Sequence, residues 1–256
     1  MIFIYTKIIT NLKEILVALG FLTLIPIPQR EKIEMGSFAR SMAYYPLVGL
    51  LIGFILFSVY FLLRDYFSPL LIMVLVTGIW ARGTGSLHLE GFVDAVDGFS
   101  AGPDRERILS VMKDPNCGSK GVVALVFLIF FKIAILMDIP DDLIFHSLLI
   151  APAISRWSMV SASFFCDYAR NKGGLGKPFV ENVGIREFII SCSIVLIAGL
   201  VLLQTQFIAV MIAPICFTIA AILYLKKRLG GITGDVLGAL NELMEVVSLS
   251  SFLFFW

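Results

Sequence analysis

Long apolar runs separated by short polar segments dominate the chain. Seven runs are long enough, or nearly so, to cross a bilayer, which takes about 20 residues with a range of roughly 17–25. They cover residues 42–63, 69–87, 121–137, 143–165, 187–203, 207–225 and 235–256. Lipid offers no hydrogen-bond partner to the backbone, so each run must be almost entirely helical. The pattern predicts an all-α fold, a polytopic membrane bundle of about seven transmembrane helices.

Three details qualify this pattern. An eighth apolar stretch, residues 15–27, is too short to cross comfortably, and we interpret it as an N-terminal interfacial or re-entrant segment. The third run is short and contains Lys132, which must either reach the headgroups or pair in the interior. Arg156 lies inside the fourth run and needs a partner, either one of the acids or a phosphate.

Composition supports a membrane protein. Of the 256 residues, 59% are hydrophobic and 15% are charged, whereas a soluble domain is about half apolar and about a quarter charged. A chain with a mean hydropathy of +0.94 has more apolar surface than one small interior can bury. The formal net charge of +1 does not indicate nucleic-acid binding. The hydropathy indicates instead that the lipid bilayer is the partner of the chain. No loop is long enough to fold alone, and we predict one membrane-embedded catalytic domain, residues 1–256.

The loops between the runs fall into two alternating sets. Loops on one side are short and poor in positive charge, residues 64–68, 138–142 and 204–206. Those on the other side are basic, and their cations include Arg30, Lys32, Arg40, Arg105, Arg107, Lys113, Arg170, Lys172, Lys177, Lys226, Lys227 and Arg228. Basic loops stay in the cytoplasm. The N-terminus is therefore predicted to be cytoplasmic, with Trp256 on the far side.

An acidic motif, His-Leu-Glu-Gly-Phe-Val-Asp-Ala-Val-Asp-Gly, follows the second run at residues 88–98. Glu90, Asp94 and Asp97 are spaced i, i+4 and i+7, which places them on one helix face. Placing one acidic residue at the centre of a membrane-spanning helix costs about 3 kcal/mol of insertion free energy, so the three acids together would cost about 9 kcal/mol. A divalent cation offsets that repulsion, and Mg²⁺ prefers such oxygen ligands. The alternative is the solvated face of a loop helix.

A second acidic stripe occurs near the end of the chain. Asp235, Glu242 and Glu245 are spaced i, i+7 and i+10, and the two glutamates lie inside the last run. Acids in a span usually face a bundle interior or a cavity, so the alternative to a ligand role is hydrogen bonding between helices. By the predicted topology both stripes lie at cytoplasmic ends of spans, where they can converge on one cavity.

Basic residues in glycine-containing loops suit phosphate oxygens. The alternative, which holds for most of them, is ordinary loop charge of the cytoplasmic side. His88 opens the acidic motif and is either a packing residue or part of the site. The candidate substrate-binding residues are Arg105, Lys113, Lys177 and Arg156.

With these motifs in order, the chain resembles the cobalamin synthases, that is, the adenosylcobinamide-GDP ribazoletransferases. The resemblance covers nearly the whole length, and the acidic motif together with Thr233-Gly234-Asp235 is specific. Glu90 occupies a position where much of the family has aspartate. Further matching segments are residues 21–28, Asp104-Arg105-Glu106-Arg107, the run from Lys113 through Gly118 to Gly121, residues 173–177, and Gly231 through Gly238-Ala239 to Glu242.

The resemblance implies an enzyme of the cytoplasmic (inner) membrane that requires Mg²⁺. It joins α-ribazole, or its 5′-phosphate, to adenosylcobinamide-GDP, and it gives adenosylcobalamin, or its phosphate, and GMP. We expect Asp94, Asp97 and Asp235 to hold the metal, with Glu90 or Glu242 completing its shell. One carboxylate accepts the proton of the attacking ribose hydroxyl. The expected catalytic residues are Asp94, Asp97, Asp235 and His88; the oligomeric state stays open, a homo-oligomer included.

Two other functions remain open at this stage. The Asp94-x2-Asp97-Gly98 pattern and Gly231-x3-Asp235 echo the CDP-alcohol phosphotransferases, but here they are far apart and the Ala-Arg after the glycine is missing. An ion-coupled transporter would use the acids as a cation path. It would place charges near the midplane and show related halves, and the sequence contains no visible repeat.

Overall fold

A computed structural model describes residues 2–27, 35–170, 173–174 and 176–254, with side chains omitted at 2–9 and 35. The loop cations Arg30, Lys32 and Lys172 and the predicted end of the last run at Trp256 therefore lie outside the described residues.

The described part of the chain is helical, which confirms the predicted all-α class. Its only pairing of β type is an isolated bridge between Tyr168 and Ile232. In chain order the α-helices are α1 Ile2–Leu22, α2 Met35–Ser41, α3 Tyr45–Leu63, α4 Pro69–Gly83, α5 Leu87–Ser100, α6 Arg105–Val111, α7 Ser119–Asp138, α8 Asp141–Phe165, α9 Lys177–Val180, α10 Ile185–Leu203, α11 Gln206–Leu229 and α12 Gly234–Phe254, with a 3-10 turn, Met42–Tyr44, before α3.

Within the described residues, six helical segments are long and apolar enough to cross a membrane. They are Gly36–Leu63, Ser119–Asp138, Asp141–Phe165, Ile185–Leu203, Gln206–Leu229 and Gly234–Phe254. The protein is therefore a multi-pass membrane protein. Helix α1 is not one of the six; it begins at Ile2, well before the apolar stretch of residues 15–27, and it ends at Leu22, inside that stretch.

The second predicted run, residues 69–87, is not one straight helix. Helix α4 ends at Gly83, and α5 leaves its direction by 87°. The two residues at the bend, Gly85 and Ser86, have positive φ angles of 65° and 60°. Two left-handed residues in succession turn the chain sharply, and hydropathy averaged along the run does not detect such a turn.

Helix α5 lies across the basic end of the bundle, and it counts toward a seventh span only together with α4, as one bent pair. Asp97 of α5 accepts hydrogen bonds from the backbone at the start of α7, and Gly91 lies against Asp235 at the start of α12. Because α7 and α12 begin at the same end of the bundle, α5 must run along that end. The acidic motif is thereby placed at a membrane face.

Helices α8 and α12 form the core of the bundle. In their most apolar windows 78% and 72% of residues are buried, against 22–39% for the other crossing helices. Helix α3 packs most closely on α8, because Gly49 and Gly53 face the backbone of Pro152 and Leu148. Small residues four apart allow such backbone contact between membrane helices. This Gly-x3-Gly spacing is a signal in the sequence that our prediction did not use.

Four charged side chains are buried where α7, α8 and α12 meet. Lys132 of α7 donates to both Glu242 and Glu245 of α12, each at 2.5 Å. Arg156 of α8 is fully buried and pairs with Glu245, which also accepts from Nε1 of Trp80 at 3.1 Å. Interior pairing of Lys132, one of its two predicted alternatives, is thus confirmed, and the partner of Arg156 is an acid.

Replacing Lys132 with methionine removes this pairing while keeping the length of the side chain. We expect Lys132→Met to lower the free energy of unfolding by about 3–5 kcal/mol, because two buried carboxylates lose a shared cation. Thermal unfolding of the purified protein in detergent measures the effect. Lys120→Met is the control, since Lys120 is exposed and donates only to the carbonyl of Ser100. Equal unfolding temperatures for the two variants would contradict a structural role of the buried group.

Candidate active site

The acidic face of α5 meets Asp235, the first acid of the second stripe, where α5 crosses α12. A Cβ atom on Gly91 would lie 2.8 Å from the backbone oxygen of Asp235, and one on Gly238 would lie 3.1 Å from the oxygen of His88. The first distance leaves no room for a side chain and the second is shorter than an ordinary van der Waals contact, so glycine at both positions favours the close crossing. The crossing places Asp235 beside the acidic face of α5, as the predicted convergence requires.

A cavity of about 160 Å³ opens beside this crossing. Glu90, Asp94 and Asp235 contribute its acidic lining, and His88 lies at its inner part. The remaining lining is apolar or glycine: Phe21, Met42, Tyr45, Leu87, Gly91, Met159, Gly176, Phe179, Gly234 and Leu237. The cavity therefore combines a group of carboxylates with an apolar interior.

Asp94 is the acid most affected by its neighbours. Partial burial, followed by the charges of Asp235, Glu90 and Asp97, raises its pKa to about 6. A carboxyl group whose pKa is raised by three other carboxylates lies in a site of concentrated negative charge. Such a site favours a bound cation.

The Thr-Gly-Asp motif folds into the first turn of α12. The hydroxyl of Thr233 accepts from the backbone N–H of Val236 at 3.2 Å and caps the helix. Gly234 lies against Gly176. A Cβ atom on Gly176 would lie 2.7 Å from the backbone nitrogen of Gly234. Asp235 then occupies the helix N-terminus, where a negative charge is favourable.

Arg170 is the residue of this site that sequence reasoning missed. Its Nη2 donates to Asp235 Oδ2 at 2.7 Å, and only 10% of its side chain is exposed. The sequence shows Arg170 merely as one cation in a basic, glycine-rich loop. Its pairing depends on the approach of this loop to α12, where Ala169 N–H donates to the backbone oxygen of Ile232 at 2.8 Å.

Asp97 does not line the cavity, although we predicted it as a metal ligand. Its two carboxylate oxygens accept from the backbone N–H groups of Gly118 and Gly121, at 2.7 and 2.8 Å. It therefore anchors the N-terminus of α7 to α5. The run from Lys113 to Gly121 is explained by this contact, because a Cβ atom at either glycine would collide with the carboxylate.

His88 is 2% exposed, and its Nε2 has no hydrogen-bond partner among the described residues. Burial, followed by the charge of Arg156, lowers the pKa of His88 to about 3, so its imidazole is neutral. A neutral imidazole beside the cavity offers one donor and one acceptor.

The four predicted substrate-binding cations do not meet at the cavity. Arg105 donates to the backbone oxygens of Leu229 and Ala169, so it ties α6 to neighbouring segments. Lys113 is exposed after α6, and Lys177 pairs with Glu181 at 3.5 Å. Arg156 has no exposure and cannot reach a substrate, so the acid, not a phosphate, is its partner. Contacts of substrate with Arg105, Lys113 and Lys177 stay predictions.

Glu242, predicted as a further metal ligand, does not line the cavity either, because its carboxylate is buried against Lys132. In the described part of the chain no three His, Cys, Asp or Glu side chains are grouped closely enough to hold a metal. A Mg²⁺ ion at a phosphate site needs only one or two carboxylates from the protein, because phosphate oxygens and water fill the rest of its shell. Asp94 and Asp235 are the pair that fits, with Glu90 beside them.

Comparison with known proteins identifies the family. A sequence profile described as Cobalamin-5-phosphate synthase matches residues 14–253. The chain belongs to the cobalamin-5-phosphate synthase family. This confirms the resemblance drawn from the motifs, and the matched range contains every residue of the cavity.

Curated members of the cobalamin-5-phosphate synthase family are similar along almost their full length. The adenosylcobinamide-GDP ribazoletransferase of Caldanaerobacter subterraneus subsp. tengcongensis is 38% identical over 239 residues, which is 93% of this chain and 96% of that protein. The proteins of the same name from Syntrophobacter fumaroxidans and Thermoanaerobacter sp. are 38% and 35% identical, over 91% and 94% of this chain and 95% and 97% of their own lengths. No solved structure matches the chain.

The close contact between α5 and α7 in this family member can be tested at Gly121. A Cβ atom there would come within 2.7 Å of Val93 as well as striking Asp97, so we expect Gly121→Ala to lower the free energy of unfolding by about 1–3 kcal/mol. Thermal unfolding in detergent measures the change. Gly78→Ala is the matched control because nothing lies within 4 Å of a Cβ atom there. Stability unchanged in both variants would show that α5 is not held in this way.

Proposed function

We propose that the protein is a Mg²⁺-dependent adenosylcobinamide-GDP ribazoletransferase. It joins α-ribazole, or α-ribazole 5′-phosphate, to adenosylcobinamide-GDP and releases GMP. The observation that carries the proposal is the cavity at the crossing of α5 and α12, where Asp94, Asp235 and Glu90 line one space. In a chain of this family, that arrangement suits a reaction at a diphosphate.

The reaction is a displacement at phosphorus. A ribose hydroxyl of α-ribazole attacks the phosphorus attached to cobinamide, a new P–O bond forms, and the bond between the two phosphates breaks. GMP leaves with the electron pair of that bond, and the hydroxyl proton passes to a carboxylate of the cavity. When bound, Mg²⁺ neutralises the charge of the diphosphate and of the leaving GMP.

The residues of the chain have separate parts in this proposal. Asp94 and Asp235 would hold the metal ion, and Glu90, exposed at the entrance, lies close enough to assist. Arg170 pairs with Asp235 at 2.7 Å, so it offsets part of the negative charge and fixes the direction of that carboxylate. The Nε2 of the buried His88 has no hydrogen-bond partner among the described residues, so we assign His88 to substrate binding rather than to proton transfer.

We further propose that the cavity faces the cytoplasm and that the membrane is the cytoplasmic (inner) one. The cavity lies at the end of the bundle where the basic loop residues Arg105, Arg170 and Arg228 lie, and basic loops stay inside. Both substrates carry charged or strongly polar groups, so a site open to the cytoplasm admits them without passage through lipid.

The proposal predicts that purified protein incubated with adenosylcobinamide-GDP, α-ribazole and Mg²⁺ releases GMP. Asp94→Asn is expected to reduce the rate on the order of 100-fold or more, because the amide supplies one neutral oxygen instead of a charged pair. EDTA should abolish release, and added Mg²⁺ should restore it. Chromatographic detection of GMP measures each rate.

Asp65→Asn is the control, because Asp65 is exposed in the short loop between α3 and α4, at the other end of the bundle. It should retain the wild-type rate. Near-normal GMP release by Asp94→Asn would remove Asp94 from the site, and ion flux in liposomes without GMP release would favour a transporter.

A further inference from the structure

Three aromatic rings from different parts of the chain form one wall of the cavity. Phe21 lies near the end of α1, Tyr45 begins α3, and Phe179 belongs to α9. The ring of Phe21 is 4.2 Å from that of Phe179 and 6.4 Å from that of Tyr45, centroid to centroid, with the latter pair tilted by only 17°. These aromatic side chains offer π faces and edges to a ligand in the cavity.

Contacts on both sides hold this wall in position. Helix α1, which brings Phe21, is fixed by Glu14, whose carboxylate pairs with Arg186 at 2.8 Å and Arg40 at 3.2 Å. The chain after α1 is fixed by a hydrogen bond from Leu24 N–H to the backbone oxygen of Gly83 at 3.0 Å. These contacts hold α1 so that Phe21 lies at the cavity.

Polarity changes from the entrance of the cavity to its interior. Glu90 is exposed, and Asp94 and Asp235 are half-buried, whereas Tyr45 and Phe179 are 1% and 5% exposed. Among the described residues that line the cavity, two buried polar atoms have no hydrogen-bond partner, the Nε2 of His88 and the hydroxyl of Tyr45. A buried polar atom without a partner is unfavourable, so it marks a place where a ligand atom is expected.

Size and polarity together define the ligand group. An apolar cavity of about 150 Å³ is large enough for benzene, and this cavity of about 160 Å³ is of that size. It is far too small for a corrin. A guanine ring presents several donors and acceptors on its edge, and burying them against an apolar wall would leave most of them unpaired. A flat, weakly polar ring with one free nitrogen matches the aromatic wall and the Nε2 of His88, and such a ring has few polar atoms to leave unpaired.

We propose that the cavity is the subsite for the benzimidazole base of α-ribazole. The base lies against Phe21, Tyr45 and Phe179, and its free ring nitrogen is hydrogen-bonded to Nε2 of His88. The attached ribose then lies at the entrance, with its hydroxyls toward Asp94 and Asp235. This inference rests on the proposed function and assigns one of its two substrates to a defined place, leaving adenosylcobinamide-GDP to approach from outside.

Equilibrium binding of α-ribazole without the second substrate tests the wall directly, for example by calorimetry in detergent. Phe21→Leu and Phe179→Leu are expected to weaken binding about tenfold, because each loses an aromatic face while keeping an apolar side chain. Phe164→Leu is the matched control: like Phe21 it is half-buried and stacks on another ring, that of Phe188 at 4.8 Å, but it does not line the cavity. It should bind α-ribazole as the wild type does.

His88 is tested by removing either side of its hydrogen bond. The wild-type protein should bind the benzimidazole nucleoside about tenfold more tightly than the matching indole nucleoside, which lacks the free ring nitrogen. His88→Leu should lose that preference. A variant that had lost only packing contacts would bind both nucleosides more weakly by the same factor. The ratio of the two dissociation constants therefore reports the hydrogen bond itself.

The outcomes separate the subsite from the function. Unchanged α-ribazole binding in Phe21→Leu and Phe179→Leu, with unfolding temperatures like that of Phe164→Leu, overturns the subsite even if the wild type releases GMP. The subsite is also overturned if Phe21→Leu and Phe179→Leu raise the KM for adenosylcobinamide-GDP and leave the KM for α-ribazole unchanged. That result would assign the cavity to the other substrate. Tight α-ribazole binding that depends on the rings, without GMP release, would support the subsite and refute the proposed reaction.

Discussion

Burial of charge at the centre of the bundle is the constraint on which the rest of the structure depends. Glu245 of α12 accepts from Lys132, Arg156 and Trp80, which belong to α7, α8 and α4. A charge removed from water is tolerated only when it is paired and hydrogen-bonded. The pairing therefore fixes both the depth and the rotation of α12 against three other helices.

The same helix carries the charge of the candidate site. Asp235 is ten residues before Glu245, or about 15 Å along the helix axis at 1.5 Å per residue. With the buried end of α12 fixed, its first turn has one position, against Gly91 of α5. The position of Asp235 in the candidate site therefore depends on the buried ion pairs of Glu245 in the interior. Helix α5 completes the site, held at its other end by the contact of Asp97 with α7.

Sequence reasoning succeeded where one physical rule decides the outcome. Apolar run length predicted the crossing helices, and the predicted topology indicated that Asp94 and Asp235, at the same ends of their spans, can share one cavity. The cost of a charge in lipid predicted that Lys132 needs a partner. Each of these follows from the chain's local pattern, with no knowledge of which helices are neighbours.

The structure departs from the sequence-based expectation where tertiary contacts decide the position of a side chain. Glu242 and Asp235 share a helix face, yet Glu242 meets Lys132 and Asp235 meets Arg170, because different helices flank the two ends of α12. Asp97 was predicted as a ligand from its spacing, but the amides of α7 occupy its oxygens. The bend at Ser86 depends on backbone dihedral angles that an average of hydropathy cannot report.

The central claim is that the acids of α5 and α12 act on one bound cation. Electron paramagnetic resonance titration with Mn²⁺, which accepts the same oxygen ligands as Mg²⁺, measures this directly in the wild type, Asp94→Asn, Asp235→Asn and the double variant. If both carboxylates hold the same ion, the double variant will bind Mn²⁺ only slightly more weakly than either single variant, because one substitution already removes the site. If the losses of Mn²⁺ binding free energy in the two single variants add up in the double variant, the two acids do not share a site. Wild-type Mn²⁺ affinity in either single variant would show the same.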